Sequence, residues 1–438
     1  MRPANLALPA LFLLLLLVAL ESVTHATMFT PGTPGASSGK IGPGSTEAFD
    51  KGVAAFEQDK LDEAASLFNQ AALQAPKSPD PQLGLAEVAF KRQDVQAARK
   101  HLEAALALAP ESSYVHLALG RFSFATRDPA KAEAELRKAV SLNPEALVPR
   151  LELATLLAGT KDGAAESAKL FGDVLAENPN NAGANFGLGN LLASQGKTEE
   201  AIRTLQQAVS LSPNDPKPCL ALAAVYANAK RYYQAVTFYD QALSLDPKSV
   251  DALFGKAQAN LASGKKDEAL DNFESLLRID PRHAGALFFS GVLYLEKDEK
   301  EKARQNFALC VEVAPENPWA LNNLAWTILW TPKGDLNDAA RFAAKAVELQ
   351  PENAEFLDTY AQVLARKGSK PDAIARLEKA VRFAPKSPGI WFSLAEISES
   401  AGERDKALNA YEHVLALVAP EDSLAGKARQ HAEKLRKP

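Results

Sequence analysis

Hydrophobic and polar positions along this chain repeat in one rhythm from residue 45 to residue 422. Within each unit of the rhythm, apolar residues return at helical spacing, as in Leu102, Ala105, Leu106 and Ala109, with polar residues between them. A proline closes each unit, at 76, 110, 144, 179, 213, 247, 281, 315, 351, 385 and 420, with spacings of 34 to 36 residues. About twenty-four residues before each proline stands a small residue: Gly52, Ala86, Gly120, Ala154, Gly189, Ala223, Ala257, Gly291, Ala325, Ala361 and Ala395. About twelve before it stands a second: Ala64, Ala98, Ala132, Ser167, Ala201, Ala235, Ala269, Ala303, Ala339, Ala373 and Ala407. About eight before it an aromatic residue or leucine is common: Phe68, Leu102, Leu136, Phe171, Leu205, Tyr239, Phe273 and Phe307.

The pattern predicts two helices per unit. Polar pairs such as Gly196-Lys197, Gly264-Lys265, Gly368-Ser369 and Gly402-Glu403 separate the halves. A small residue in the middle of each helix lets two backbones approach closely, and the closing proline ends the second helix because it lacks an N–H and restricts its predecessor. One such hairpin cannot bury its apolar face alone, whereas stacked neighbours share a continuous core.

This arrangement resembles the tetratricopeptide repeat family over 45–422. In the family's terms the two small residues are repeat positions 8 and 20 and the proline is position 32. The resemblance implies an all-α fold, a right-handed α-solenoid superhelix of about eleven helix-turn-helix repeats, with a polypeptide partner held along the concave surface. Repeats four, nine and eleven depart from it by insertions, and Ser167 replaces the usual alanine.

The ends read differently. Arg2 precedes an apolar run from Leu6 to Leu20, followed by Thr24-His25-Ala26. This order predicts a cleaved signal peptide over 1–26, because the run is short for a membrane span; an uncleaved anchor is the alternative. Residues 27–44 are rich in Pro, Gly, Ser and Thr and predict a flexible linker. Residues 423–438 predict a C-terminal capping helix whose Lys427, Arg429, Lys434, Arg436 and Lys437 outnumber Glu433. The expected location is therefore exported: periplasm, cell envelope or extracellular space.

Composition narrows the chemistry. The 438 residues include only 2 Cys and 6 His, which disfavours a disulfide scaffold or a zinc module. The net charge of −5 gives no basic field for nucleic acid. Gly196-Lys197-Thr198 lacks the upstream glycine of a phosphate-binding loop, which is Leu191 here. Gly187-Leu188-Gly189 falls inside a predicted helix and not after a strand, so a dinucleotide site is not expected. The histidines fit no metal-ligand spacing, and Cys219 and Cys310 lie two repeats apart, too far for a disulfide. No catalytic residue, cofactor or metal is expected, and no segment outside the repeats is long enough for a catalytic domain.

Some relatives in the family clamp acidic C-termini of chaperones with Lys and Asn. Here the clamp asparagine position holds Val53, Glu87 and Val292 in repeats one, two and eight. Asn190 occupies it in repeat five, but Phe186 stands where lysine belongs, so no clamp is assembled.

The candidate partner-binding residues cluster in repeats nine and ten. On a helical wheel Trp319, Trp326 and Trp330 form a stripe turned away from Leu321, Leu324, Ala325 and Ile328. The stripe is expected either to fill space between first helices or to offer an aromatic binding platform. Asn322-Asn323-Leu324-Ala325-Trp326 followed by Asp358-Thr359-Tyr360 looks like a module of secreted bacterial tetratricopeptide proteins, several of them in exopolysaccharide or envelope-assembly systems. The resemblance implies polysaccharide-export components as an alternative partner. Asn322 and Asp358, both at position 5 of their repeats, are expected either to bond between adjacent helices or to face the partner.

Overall fold

The computed structural model describes residues 46–160, 162–331 and 334–436. Residues 1–26 and 27–44, where a signal peptide and a linker are expected, and Lys437 lie outside the described residues. The described residues form helices and no strands. They fall into two units, 46–245 and 246–436.

The first unit contains α1 (Glu47–Glu57), α2 (Leu61–Gln74), α3 (Asp80–Lys91), α4 (Val95–Leu108), α5 (Ser113–Ala125) and α6 (Pro129–Leu142), then α7 (Leu147–Ala158), α8 (Ala164–Glu177), α9 (Ala182–Ser194), α10 (Thr198–Leu211), α11 (Pro216–Asn228) and α12 (Tyr232–Leu245). The second contains α13 (Val250–Ala262), α14 (Lys266–Ile279), α15 (Ala284–Glu296), α16 (Lys300–Val313), α17 (Pro318–Trp330) and α18 (Leu336–Leu349), then α19 (Ala354–Arg366), α20 (Lys370–Phe383), α21 (Pro388–Ala401), α22 (Arg404–Leu417) and α23 (Ser423–Arg436). The fold class is all-α solenoid, as the periodicity predicts.

The starts of the first helices are written in the sequence. Ser112, Asn181, Asp215, Ser249, Asn317 and Asn353 each stand just ahead of a first helix, and their side chains accept a backbone N–H of its first turn. His283 does the same through Nδ1, which accepts from the Ala286 N–H at 3.1 Å. Between the helices of a pair, repeat position 15 takes a left-handed conformation in nine repeats. Glycine holds it at Gly196, Gly264, Gly368 and Gly402, whereas Asp59, Gln93, Arg127, Lys230 and Asp298 hold it at a steric cost.

Packing follows the small residues. All eleven at position 20, from Ala64 to Ala407, are fully buried. Ser167 keeps its place because its hydroxyl donates to the Ala154 carbonyl at 2.7 Å, so the added polar atom is satisfied. The large residue at position 24 lies against the small one at position 8 of its own repeat. A Cβ on Gly52 would stand 2.8 Å from Phe68, on Gly120 2.8 Å from Leu136, and on Gly291 2.8 Å from Phe307.

Successive repeats are also tied at position 4. The Asn185 amide donates to the Pro179 carbonyl at 3.0 Å, and the Trp391 indole N–H donates to the Pro385 carbonyl at 2.9 Å. Each reaches the proline that closes the preceding repeat. His116 sits 2.9 Å from the Pro110 carbonyl in the same way and 2.7 Å from Glu135.

Within each unit, first helices of several neighbouring repeats touch directly. In the first unit α1 meets α3, α7 meets α9, and α9 meets α11; in the second α17 meets α19 and α19 meets α21. The first helices thus line one side of each unit, and any ligand on that side meets their side chains.

The terminal helix α23 buries Ala425, Ala428 and Ala432 against the last repeat. Its basic residues are not only solvated: His431 Nδ1 and Lys434 reach Glu399 at 2.8 and 3.6 Å, and Arg436 reaches Glu412 at 2.8 Å.

Candidate functional site

The candidate surface is built on the first helices α17, α19 and α21 of repeats nine, ten and eleven. Helix α17 is fixed on α19 at both ends. Near its start the Trp319 ring meets Phe356 edge-on at 4.9 Å. At its end the Arg366 guanidinium lies 5.8 Å from the centre of the Trp330 ring. Along the α17 face between those contacts lie Asn322 and Trp326, and along α19 lie Glu355, Asp358 and Gln362.

The three tryptophans do not share one role. Trp319 packs into the cluster of Leu321, Ala346 and Phe356, which matches the space-filling expectation. Trp326 is half-buried, and Trp330 is 39% exposed. Their rings lie 6.3 Å apart at 48°, so this half of the stripe forms an accessible aromatic ledge.

Asn322 and Asp358 do not satisfy each other through their Oδ1 atoms. Asn322 is 94% buried by its 6% exposure, yet its Oδ1 accepts no hydrogen bond. Asp358 accepts from the Gln362 amide at 2.9 Å through Oδ2, within its own helix, while its buried Oδ1 has no partner. Asp358 is thus held by Gln362 one turn along α19 and by the Ser393 hydroxyl of the adjacent first helix α21, while Asn322 Oδ1 takes no part in bonding between helices. Burial pushes the Asp358 carboxyl up to about 6, against the pull of the nearby Ser393 hydroxyl and the Gln362 amide. Glu355, one turn earlier, has a buried Oε2 without a partner, and burial raises its carboxyl as well.

The sequence pattern did not single out Glu355 and Gln362. Their signal is positional: both stand on the Asp358 stripe of α19, at repeat positions 2 and 9.

A second polar constellation, in the first unit, was also not singled out. Glu87 on α3, Arg121 on α5 and Glu152 on α7 come from the first helices of three successive repeats. Arg121 Nε donates to both Glu152 oxygens, at 2.8 and 3.0 Å. Glu87 is 4% exposed and its Oε1 accepts nothing; burial lifts its carboxyl to about 8, opposed by Arg121 and Lys91. Glu87 and Arg121 both follow the small residue of position 8, a spacing that could have paired them in the sequence.

The remaining candidates for chemistry resolve into packing. Gly187 and Gly189 lie inside α9, each beneath a side chain: a Cβ would stand 2.3 Å from Phe171 and 2.6 Å from Leu205 respectively. Gly196 carries the left-handed turn before α10. Cys219 and Cys310 are free and buried, and burial pushes the Cys310 thiol up to about 11. Among the described residues no group of three His, Cys, Asp or Glu could hold a metal ion. Among the same residues no helix is long and apolar enough to cross a membrane.

The solenoid of paired helices with small residues at positions 8 and 20 defines a repeat scaffold. Tetratricopeptide repeat models match residues 55–122, 113–145, 162–225, 192–261, 256–318, 333–388 and 390–425, and the chain belongs to the tetratricopeptide repeat family. Among solved structures it is similar to PilW, a type IV pilus biogenesis factor, at 22% identity over 48% of this chain and 96% of that one, with a TM-score of 0.45. It is also similar to YrrB, a tetratricopeptide protein with a peptide-binding site, at 24% identity over 42% and 95%, with a TM-score of 0.37. A third likeness is yeast Tom70, at 18% identity over 89% and 95%, with a TM-score of 0.34. No curated protein matches the chain.

Proposed function

We propose that this protein is a non-catalytic, exported scaffold that holds a polypeptide partner against its inner helices. The observation that carries the reading is the surface of α17 and α19. There Trp326 and Trp330 form a ledge beside buried oxygens of Asn322, Glu355 and Asp358 that accept no hydrogen bond among the described residues. Aromatic rings bury a large area at low rotamer cost, and an unpaired buried oxygen is costly until a partner supplies a donor. Export to the periplasm, cell envelope or extracellular space is proposed from Arg2, the Leu6–Leu20 run and Thr24-His25-Ala26.

The experiment is photo-crosslinking in intact cells from a crosslinker at Trp330, with a second at exposed Tyr233 of the first unit for comparison. A polypeptide captured from Trp330 and lost in Trp326→Ala supports the scaffold. Absence of any adduct on that surface removes it. N-terminal sequencing of envelope protein tests export: a mature chain starting at Thr27 is expected, and an intact Met1 end in membranes would favour the anchor.

The resemblance of the Asn322–Trp326 segment to envelope-assembly proteins favours a second reading, a subunit of a polysaccharide synthesis or export system. An aromatic ledge also suits the face of a sugar ring. Capture of glycan instead of polypeptide from Trp330 would establish it.

A further inference from the structure

We propose that the α17–α19 surface recognises a cationic side chain, arginine or lysine, on an extended segment of the partner protein. The proposal rests on the scaffold reading and adds the chemistry of the occupant. Its basis is that every unpartnered atom there is an acceptor. Among the described residues, Asn322 Oδ1, Glu355 Oε2 and Asp358 Oδ1 are buried oxygens that no donor reaches at hydrogen-bonding distance, contributed by two first helices in direct contact; the Ser393 hydroxyl of α21 adds only part of what the Asp358 carboxylate needs. A ligand that satisfied them must bring N–H or O–H donors. Two of the three oxygens belong to carboxyl groups, so a donor with positive charge gains most.

The surrounding charge has the same sense. The first helices of repeats nine to eleven carry Glu355, Asp358, Glu396 and Glu399 against Arg366 alone. Glu399 is already engaged by His431 and Lys434 of the terminal helix, and Arg366 is held over Trp330. Among the described residues no basic side chain pairs with Glu355 or Asp358, whose carboxyls burial disfavours as anions. Arg366 already lies over the Trp330 ring, so the partner's cation is expected beside the Asp358 and Glu355 carboxyls and not on that ring.

An extended strand suits the spacing. Adjacent helix axes lie roughly 8–10 Å apart, and an extended chain advances about 3.3 Å per residue, so about three residues carry it from one first helix to the next. A basic side chain between Asn322 and Asp358 would then leave an apolar neighbour on the Trp326–Trp330 ledge.

The test uses the full chain and three labelled peptides on a Ser/Gly background, read by fluorescence polarisation. One carries two arginines flanking a leucine, the second replaces arginine by citrulline, and the third by glutamate. The arginine peptide is expected to bind roughly tenfold or more tightly than the citrulline one, with the glutamate peptide weakest. Asp358→Asn and Glu355→Gln are each expected to bring the ratio of arginine to citrulline affinity most of the way toward one. Both remove a charge that burial disfavours, so the fold should survive, and circular dichroism melting checks this. Equal binding of arginine and citrulline, preference for glutamate, or an unchanged preference in both variants overturns cation recognition and leaves a peptide scaffold standing. Silence of all three peptides alongside a crosslinked partner at Trp330 does the same. Failure of the crosslink itself removes the scaffold.

Discussion

Phe171 of repeat four occupies the place where a side chain on Gly187 of repeat five would begin. A Cβ there would stand 2.3 Å from the Phe171 ring, inside any real contact distance. The same relation joins Phe68 to Gly84 at 2.8 Å. A ring at position 24 is thus enclosed by its own repeat on one side and by the next repeat on the other, which makes the junction between repeats a single packing event.

Gly187→Ala is expected to destabilise the fourth and fifth repeats by about 1–3 kcal/mol, because the ring must move within a packed interior. Amide hydrogen exchange would show the loss around α8 and α9, since each repeat contacts only its neighbours. Gly187→Ala combined with Phe171→Leu should recover part of it. Uniform loosening of all repeats would contradict nearest-neighbour packing.

The left-handed turns give a prediction of opposite sign. Lys230 holds φ of 59°, where a Cβ is strained. Lys230→Gly is expected to stabilise by about 0.5–1 kcal/mol, and Gly264→Ala to destabilise by about 1 kcal/mol. Denaturant titration of each variant measures both.

Glu87 predicts a pH dependence. Its folded carboxyl is lifted from 4.5 to about 8, so between these values the folded chain holds a proton that the unfolded chain has released. Stability from this group therefore falls as pH rises from about 4.5 to about 8 and is level above that. The charges that oppose this lift are those of Arg121 and Lys91. Glu87→Gln should flatten the slope, measured by hydrogen exchange of α3 at several pH values; an unchanged slope would assign it elsewhere.

Glu399 acts in the opposite direction. Burial alone would raise its carboxyl, but the Tyr411 hydroxyl, His431 and Lys434 hold it below 4.5. Its contribution is present above about 4.5 and is lost as pH falls through the lower folded value. Below pH 4.5 the terminal helix α23 should therefore exchange faster than α21, and Glu399→Gln should bring the same loosening at neutral pH.

The tryptophans separate by role. Trp319→Ala removes a ring packed on Phe356 and is expected to cost about 3 kcal/mol. Trp330→Ala removes an exposed ring and should change the melting temperature little. Acrylamide should quench Trp330 in the wild-type chain, and a large stability loss in Trp330→Ala would mark that ring as core.

Much of the architecture was legible in the residues themselves. The period, the helix pairs, the small residues of positions 8 and 20 and the left-handed turns at Gly196, Gly264, Gly368 and Gly402 each follow from a local rule. Fold class then follows because an amphipathic hairpin that repeats has nowhere to bury its face except on its neighbour. The site was legible only in part. A helical wheel placed Trp319, Trp326 and Trp330 on one stripe, but their exposure depends on what α19 brings opposite them. Phe356 covers Trp319 and Arg366 touches Trp330, while Trp326 is left half-open. Asn322 and Asp358 occupy equal positions, and nothing in their spacing says that Gln362 takes one carboxylate oxygen and leaves the other bare. Local periodicity determines which face a residue occupies; what covers that face is decided by side chains thirty or more residues away, as Phe356 is from Trp319 and Arg366 from Trp330, which only the packed repeats bring together.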